Sequence, residues 1–374
     1  MKVVIDNKIP FIHGVLERYA NVVYLEGSKI SRADLLDADA LIIRTRTKCN
    51  SNLLEGTNVR FIATATIGFD HIATAYCDAH QIAWTNAEGC NSSSVQQYMA
   101  SALFHLAEKF GFSLQGKSIG IVGVGNVGEK VEKLCKTFGM NVLRNDPPRA
   151  RAEGDAGFVS LDRIIAESDI ITLHVPLHKE GVDRTVHMVD ETFLSRLRPE
   201  QILINASRGA VVDGGALKTA LKARRLVGCI LDVWENEPGI DLELLQLVDI
   251  GTPHIAGYSA DGKANGTAMS VQAFAKFFNI DLRHWYPPHV PSPPTPVLEL
   301  DGTGLNSEKI LATLIQKTYD ITWDDRRLRN SPATFEEQRG KYPLRREFPA
   351  YTVNAVHVPE MDAAAIRTLG FQLQ

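Results

Sequence analysis

The chain has 374 residues, enough for two or three domains of ordinary size. Its 40 Lys and Arg residues against 44 Asp and Glu residues leave a net charge of −4, which argues against a nucleic-acid partner because such proteins normally present a basic face. Five cysteines without CxxC spacing favour neither a disulfide framework nor a thiolate zinc site. Since the sequence has no membrane-length apolar run and no signal-peptide pattern, we expect a cytoplasmic protein without a membrane partner.

Short apolar runs alternate with helical patterns from the start of the chain. This rhythm predicts parallel strands covered by helices, with strands at 3–5, 21–25, 40–44 and 61–64. A long helix is expected at 92–110, ending at Gly111. A second alternation follows, and its nearly continuous apolar runs predict buried strands at 118–122, 141–145, 170–175, 202–205, 229–233 and 248–251.

A second long helix, expected at 261–280, leads to a change in composition. Six of the 17 prolines lie between Pro287 and Pro296, and such a run is typical of a stiff extended connector. Beyond it we expect an amphipathic helix at 307–322 and then a basic, less regular stretch. The prolines therefore predict a domain boundary near residue 286.

The strand predicted at 118–122 runs into Gly123-Val124-Gly125-Asn126-Val127-Gly128, which opens a helix. In this GxGxxG turn the first glycine permits the tight turn, the second lets the backbone approach a pyrophosphate, and the third lets the helix pack on the strand. About 20 residues further on, Asp146 ends the next strand. A carboxylate there accepts hydrogen bonds from a ribose hydroxyl and repels a 2′-phosphate, so the motif predicts NAD rather than NADP.

Three further motifs follow predicted strands, where doubly wound sheets bind their ligands. They are Asn205-Ala206-Ser207-Arg208-Gly209, Asp232-Val233-Trp234-Glu235-Asn236-Glu237-Pro238 and Pro253-His254-Ile255-Ala256-Gly257. The GxGxxG turn and the segment His174-Val175-Pro176-Leu177 precede these three motifs in the chain. Motifs of this kind in this order resemble those of the D-isomer-specific 2-hydroxyacid dehydrogenases, and the resemblance covers about the first 280 residues.

The resemblance implies that Arg208, Glu237 and His254 are the catalytic residues of an NAD-dependent enzyme. Oxidation of a 2-hydroxy acid removes a hydride from C2 and a proton from its hydroxyl, and an imidazole suits the proton transfer because it titrates near neutral pH. Glu237 would orient His254 and favour its protonated form, while Arg208 would bind the substrate carboxylate and the C2 oxygen. The implied cofactor-binding residues are Gly123, Gly125, Asn126, Val127, Gly128, Asp146, Val175, Ala206, Ser207, Arg208, Asp232 and Gly257.

Two of these positions allow another interpretation. The alternative interpretation of Asp232 is a buried cap at the end of its strand. His174 and His178 have the spacing of a metal-binding pair on a helix, but Pro176 stands between them in a strand-to-loop segment, so we expect no metal site.

The substrate is indicated by segments that follow the third and fourth predicted strands. Arg44, Thr45, Arg46 and Thr66, with Tyr258, resemble the substrate-binding residues of family members that act on 4-phosphoerythronate and dimerise through a C-terminal extension. The resemblance thus implies a phosphorylated hydroxy acid as substrate and a homodimer. The alternative interpretation of the two arginines is an ordinary solvated surface pair.

Several alternatives stay open. The runner-up is a dehydrogenase for another small acid, such as 3-phosphoglycerate or glyoxylate/hydroxypyruvate. A different alternative is an NAD-sensing binding protein on the same scaffold. In the tail, Arg345 and Arg346 are candidates to reach an active site of this chain or of a partner.

The resemblance also defines the expected fold class, which is α/β in three domains. A flavodoxin-like α/β substrate-binding domain would comprise residues 1–92 and 257–285, and a Rossmann-type, doubly wound parallel sheet would form the NAD-binding domain at 93–256. A small α+β dimerisation domain would occupy residues 286–374.

Overall fold

A computed structural model describes residues 1–374 and divides them into two compact units. The first unit comprises residues 1–91 and 259–291, and the second comprises residues 92–258 and 292–374. The finer division into three domains stays a prediction.

All the strands pair in parallel with their neighbours and form three sheets. In chain order they are β1 Lys2–Asp6, β2 Asn21–Leu25, β3 Ala40–Ile43, β4 Phe61–Thr64, β5 Ala83–Asn86, β6 Ser118–Val122, β7 Asn141–Asn145, β8 Ile170–Leu173, β9 Ile202–Asn205, β10 Gly228–Leu231, β11 Ile250–Gly251, β12 Val297–Asp301, β13 Thr352–Val356 and β14 Gln372–Leu373.

The helices connect these strands and cover the sheets. They are α1 Arg32–Leu35, α2 Ser51–Leu54, α3 Thr74–Ala79, α4 Ser92–Phe110, α5 Asn126–Thr137, α6 Pro147–Glu153, α7 Leu161–Glu167, α8 Glu191–Ser195, α9 Gly214–Lys222, α10 Leu242–Leu247, α11 Ala260–Phe278, α12 Ser307–Thr318, α13 Ile321–Asn330, α14 Phe335–Gly340 and α15 Glu360–Leu369. None of them combines the length and the hydropathy that a membrane span requires.

The first unit contains a five-stranded sheet in the order β2-β1-β3-β4-β5, which is the flavodoxin-like order that we predicted. Side chains alternate between its faces, so Val3 and Ile5 pack in one buried cluster with Phe274 of α11, while Val4 and Leu41 pack in the other. The sequence analysis missed β5, whose residues are all only partly buried.

The second unit contains a six-stranded sheet in the order β11-β10-β9-β8-β6-β7. The chain passes from β6 outward to β7 and then crosses to the opposite side of β6 to form β8. This confirms the doubly wound parallel sheet, and it places the reversal of strand order at the carboxyl ends of β6 and β8, where such sheets bind ligands. The strands predicted at 170–175 and 229–233 end earlier, at Leu173 and Leu231.

Residues 292–374 of the same unit carry the third sheet, in the order β12-β13-β14. The single helix expected at 307–322 is wrong. The backbone of Tyr319 is extended, and the Asp320 side chain accepts the N–H of Thr322, so α12 ends and α13 begins anew at this point. Leu311 and Leu314 of α12 belong to the same buried cluster as residues of α4, so this helix packs within its own chain.

Candidate active site

The glycine-rich turn has the geometry that its spacing predicts. Gly123 has a φ of +87°, a value that favours glycine. A Cβ atom on Gly128 would lie 2.2 Å from the carbonyl oxygen of Gly123, so only glycine lets α5 pack this closely on β6. A Cβ atom on Gly125 would meet nothing within 4 Å. The turn therefore leaves open space at the glycine where a pyrophosphate would approach.

Asp146 lies against this turn at the end of β7. One carboxylate oxygen accepts the N–H of Val124 at 2.8 Å, and the other accepts the N–H of Arg149 at 3.1 Å as the N-cap of α6. The Asp146 carboxylate is thus fixed beside the glycine-rich turn. With the open space at Gly125, these residues fit the dinucleotide of NAD.

The segment after β8 borders the same turn. A Cβ atom on Gly123 would lie 2.7 Å from the carbonyl oxygen of His174 and 2.8 Å from Cγ1 of Val175, so the two loops touch at the reversal of strand order. The His174 imidazole is buried, with Nε2 at 3.0 Å from Oγ1 of Thr172. Burial lowers the pKa of His174 to about 3, so this imidazole is neutral at physiological pH.

The loop after β9 is organised by Asn205. Its side-chain oxygen accepts the N–H of Ser207 at 3.1 Å and the Ser207 hydroxyl at 2.8 Å, and its amide donates to the carbonyl oxygen of Arg208 at 3.0 Å. A Cβ atom on Gly209 would lie 1.9 Å from the carbonyl oxygen of Trp234. These contacts explain why the loop that carries Arg208 has asparagine at position 205 and glycine at position 209.

His254 follows β11 and pairs with Glu237, which lies in the loop after β10. The Nδ1 atom of His254 is 2.7 Å from Oε2 of Glu237, while Oε1 accepts the N–H of Trp234 at 2.8 Å. Burial raises the pKa of Glu237, but the hydrogen bond and the charge of His254 outweigh burial and hold that pKa below its ordinary value. Because β9, β10 and β11 are neighbours, Arg208, Glu237 and His254 follow strands that end at the same edge of the sheet.

Asp232 is buried at the end of β10 and accepts three hydrogen bonds. Its donors are the N–H groups of Ile255 and Ala256 and the hydroxyl of Thr252, at 2.7 to 2.9 Å. Burial raises the pKa of this carboxyl. In this structure Asp232 thus holds the loop that carries His254, as the interpretation of a strand-end cap predicts, and its role towards the cofactor stays a prediction.

The remaining candidates occupy the expected loops. Asn126 and Val127 begin α5, Ala206 and Ser207 follow β9, and Gly257 and Tyr258 follow His254 in the second unit. Arg44, Thr45 and Arg46 follow β3 in the first unit, and Thr66 follows β4 there, with its hydroxyl donating to the carbonyl oxygen of Gly68 at 3.1 Å.

Two arginines beside the His254 loop were not assigned from the sequence. Arg345 donates to the carbonyl oxygen of Ala256 at 2.5 Å, and the guanidinium of Arg339 lies 5.7 Å from the centre of the Tyr258 ring. The sequence predicts only that Arg345 is a candidate to reach an active site, and it gives no role to Arg339. The only sequence feature that points to these two arginines is the basic composition of the tail.

This fold and this site define an NAD-dependent 2-hydroxyacid dehydrogenase. A sequence model of the NAD-binding domain of the D-isomer-specific 2-hydroxyacid dehydrogenases matches residues 90–256, and a model of a domain of unknown function matches residues 290–370. The erythronate-4-phosphate dehydrogenase of Bacteroides fragilis is 49% identical over 354 residues, which cover 94% of this chain and 99% of that protein. The protein of the same name from Porphyromonas gingivalis is 44% identical over 99% of this chain and 100% of that protein. The chain belongs to the erythronate-4-phosphate dehydrogenase family.

Solved structures resemble about three quarters of the chain. A D-lactate dehydrogenase from Aquifex aeolicus, in complex with NAD and lactic acid, superposes with a TM-score of 0.60 at 27% identity, covering 76% of this chain and 97% of that one. An NAD-dependent formate dehydrogenase from Staphylococcus aureus, in complex with NAD, superposes with a TM-score of 0.59 at 25% identity. The match covers 75% of this chain and 96% of that one. These matches confirm the prediction of NAD as cofactor.

Proposed function

We propose that the protein oxidises 4-phospho-D-erythronate to 2-oxo-3-hydroxy-4-phosphobutanoate with NAD, a step of vitamin B6 biosynthesis. The observation that carries this proposal is the His254–Glu237 pair, 2.7 Å apart and beside the Arg208 loop, in a chain that spans 99% of a relative named for this activity. The substrate itself is taken from the names of the relatives.

The proton transfer falls to His254. Glu237 holds Nδ1 of the imidazole, so Nε2 is the nitrogen that accepts the proton from the C2 hydroxyl as the carbonyl forms. Bound NAD supplies the acceptor for the hydride that leaves C2. Arg208 binds the carboxylate and the C2 oxygen, because its planar guanidinium offers paired donors.

The phosphate and the hydroxyls of the substrate need further partners. Arg44 and Arg46 are the proposed phosphate ligands, since a guanidinium is always charged and binds phosphate in a bidentate manner. The hydroxyl groups of Thr45, Thr66 and Tyr258 are the proposed partners of the polyol.

The assembly that we propose is a homodimer formed through residues 286–374. This extension exposes apolar side chains, among them Met361 at 74% exposure and Val356 at 54%. We expect the wild-type protein to have the mass of a dimer by light scattering, and a variant with both Val356→Glu and Met361→Glu to have the mass of a monomer. A wild-type monomer would contradict the proposal.

The proposed location is the cytoplasm, which supplies NAD, and cell fractionation tests it.

The substrate is tested by an assay of NAD reduction with 4-phosphoerythronate, 3-phosphoglycerate and glycerate. A 2-oxo acid is added in a parallel reaction, because tightly held NADH would otherwise stall turnover. We expect the highest kcat/KM with 4-phosphoerythronate. Equal or faster turnover of 3-phosphoglycerate would contradict the substrate assignment, and a failure to turn over any acid while NADH binds would support the interpretation as a sensing protein.

A further inference from the structure

Arg149 gives the cofactor site a second residue that bears on the choice between NAD and NADP. It lies in α6, shortly after Asp146, and its N–H donates to a carboxylate oxygen of Asp146 at 3.1 Å. In dinucleotide-binding sheets the acidic residue at this place binds a ribose hydroxyl, whereas an arginine nearby accommodates the 2′-phosphate of NADP. The start of α6 therefore contains one group that favours each cofactor.

The guanidinium of Arg149 contacts the same residue of the glycine-rich turn as the Asp146 carboxylate. Its Nη1 atom donates to the carbonyl oxygen of Val124, and Asp146 accepts the N–H of Val124 at 2.8 Å. The arginine side chain is 29% exposed, so it borders solvent. A permanently charged group with planar donors, suited to binding a phosphate, thus stands beside the carboxylate that is expected to bind the ribose.

Two glutamates occupy this guanidinium. Glu153, on α6, accepts Nε of Arg149 with one carboxylate oxygen at 2.7 Å and Nη2 with the other at 2.9 Å, which makes a bidentate pair. Glu129, in the first turn of α5, accepts Nη1 at 2.7 Å. Every nitrogen of the Arg149 guanidinium therefore already donates to an oxygen of the protein.

The other arginines of this segment are engaged in the same way. Arg151 of α6 donates to the carboxylate of Asp183, in the loop that follows β8. Nη1 of Arg144, on β7, lies 3.4 Å from a carboxylate oxygen of Glu132 on α5. Each arginine within residues 144–151 thus has a carboxylate partner in the protein.

The charges around Arg149 disfavour a further anion while these pairs are formed. One guanidinium stands among the carboxylates of Asp146, Glu129 and Glu153, and the hydrogen bond from Arg149 holds the pKa of Glu153 below its ordinary value. Exposed ion pairs are individually weak, because water and salt screen them. Two glutamates on one guanidinium, one of them bidentate, hold it more firmly than a single pair does.

We propose that Glu129 and Glu153 are specificity-determining residues, which bind the guanidinium of Arg149 and so prevent it from binding the 2′-phosphate of NADP. Asp146 repels that phosphate, and the two glutamates engage the cation that would attract it, so the chain rejects NADP in two separate ways. The inference rests on the use of NAD in the proposed function, and it holds for any 2-hydroxy acid.

The test is a fluorescence titration of the wild type and of the double variant Glu129→Gln with Glu153→Gln, using NADPH and NADH as the ligands. The glutamate side chains are 57% and 50% exposed, so both variants should fold, and glutamine keeps their shape while it removes the charge. Release of Arg149 should lower the Kd for NADPH about tenfold, the order of one charge-assisted hydrogen bond, and leave the Kd for NADH within about twofold.

A triple variant that adds Arg149→Gln shows whether this arginine is the phosphate ligand. We expect the gain for NADPH to disappear in it, because the released cation is then absent. The matched control is Glu167→Gln on α7, since Glu167 accepts Nε and Nη2 of Arg163 at 2.8 and 2.9 Å and so forms the same bidentate pair on a helix other than α5 and α6. This control should leave both dissociation constants unchanged.

Three results would overturn the inference. The first is an unchanged Kd for NADPH in a double variant that binds NADH normally. The second is an equal gain in the triple variant, which would mean a general relief of negative charge. The third is an equal gain in Glu167→Gln. Because the titration needs no turnover, its failure is distinguishable from a failure of the protein to oxidise 4-phosphoerythronate.

Discussion

The Nδ1 atom of His254 lies 2.7 Å from Oε2 of Glu237, and the other oxygen of that carboxylate accepts the N–H of Trp234 at 2.8 Å. Both oxygens of Glu237 are thus engaged, which fixes the direction of the carboxylate and, through it, the plane of the imidazole. The backbone N–H of His254 donates to the carbonyl oxygen of Asp232 at 2.7 Å, so the ring is held from both the main chain and the side chain.

From this arrangement we expect His254→Ala to lower kcat at least ~100-fold, the low end of what a general base contributes. The variant should still bind NADH, because the glycine-rich turn and Asp146 do not contact the imidazole. Steady-state kinetics measure the first quantity, and fluorescence titration with NADH measures the second. Near-normal turnover in His254→Ala would show that another group takes the proton.

The glycine-rich turn permits a matched pair of variants. Gly125→Ala adds a methyl group into open space and should keep the wild-type melting temperature, yet it should weaken NAD binding by at least about tenfold, because the methyl occupies the path of the pyrophosphate. Gly128→Ala places a methyl group 2.2 Å from a backbone oxygen and should lower the free energy of unfolding by about 1–3 kcal/mol. Urea unfolding and calorimetric titration with NAD measure the two effects. The same response in both variants would contradict the separate roles.

Cofactor preference is tested at Asp146. Asp146→Ser keeps a side chain that caps α6 and removes the negative charge. We expect the ratio of kcat/KM for NAD to that for NADP to fall about 10–100-fold, which corresponds to the loss of a charged hydrogen bond and of the repulsion towards a 2′-phosphate. Kinetics with both cofactors at a fixed substrate concentration measure this ratio, and an unchanged ratio would refute the role of Asp146.

The sequence predicts those parts of the molecule that local spacing determines. The glycines of the GxGxxG turn are required by contacts a few residues apart, and the strands of the two large parallel sheets stand in apolar runs, so both could be predicted. The exception is β5, which was missed because its residues are only partly buried. The start of a new helix at Asp320 follows from one cap in an otherwise periodic segment, so it was missed. Arg339 and Arg345 contact residues about 80 to 100 positions away, and no local pattern marks such contacts.

His174 makes the stability of the protein depend on pH. Burial lowers its pKa to about 3 in the folded state, whereas an unfolded histidine titrates near 6.5. Between these values the unfolded chain binds the additional proton, so this contribution to stability is present above pH 6.5 and is lost as the pH falls towards 3. From pH 6 to pH 5 we expect the loss from this one group to be about 1 kcal/mol.

Urea unfolding at pH 7, 6 and 5 tests this expectation for the wild type and for His174→Gln, which does not titrate in this range. The difference between the two proteins removes the contribution of all other groups, so the wild type should lose more stability than the variant at each acidic step. His289→Gln replaces an exposed histidine and should follow the wild type. Parallel curves for the wild type and His174→Gln would mean that His174 is protonated in the folded protein, contrary to its burial beside Thr172.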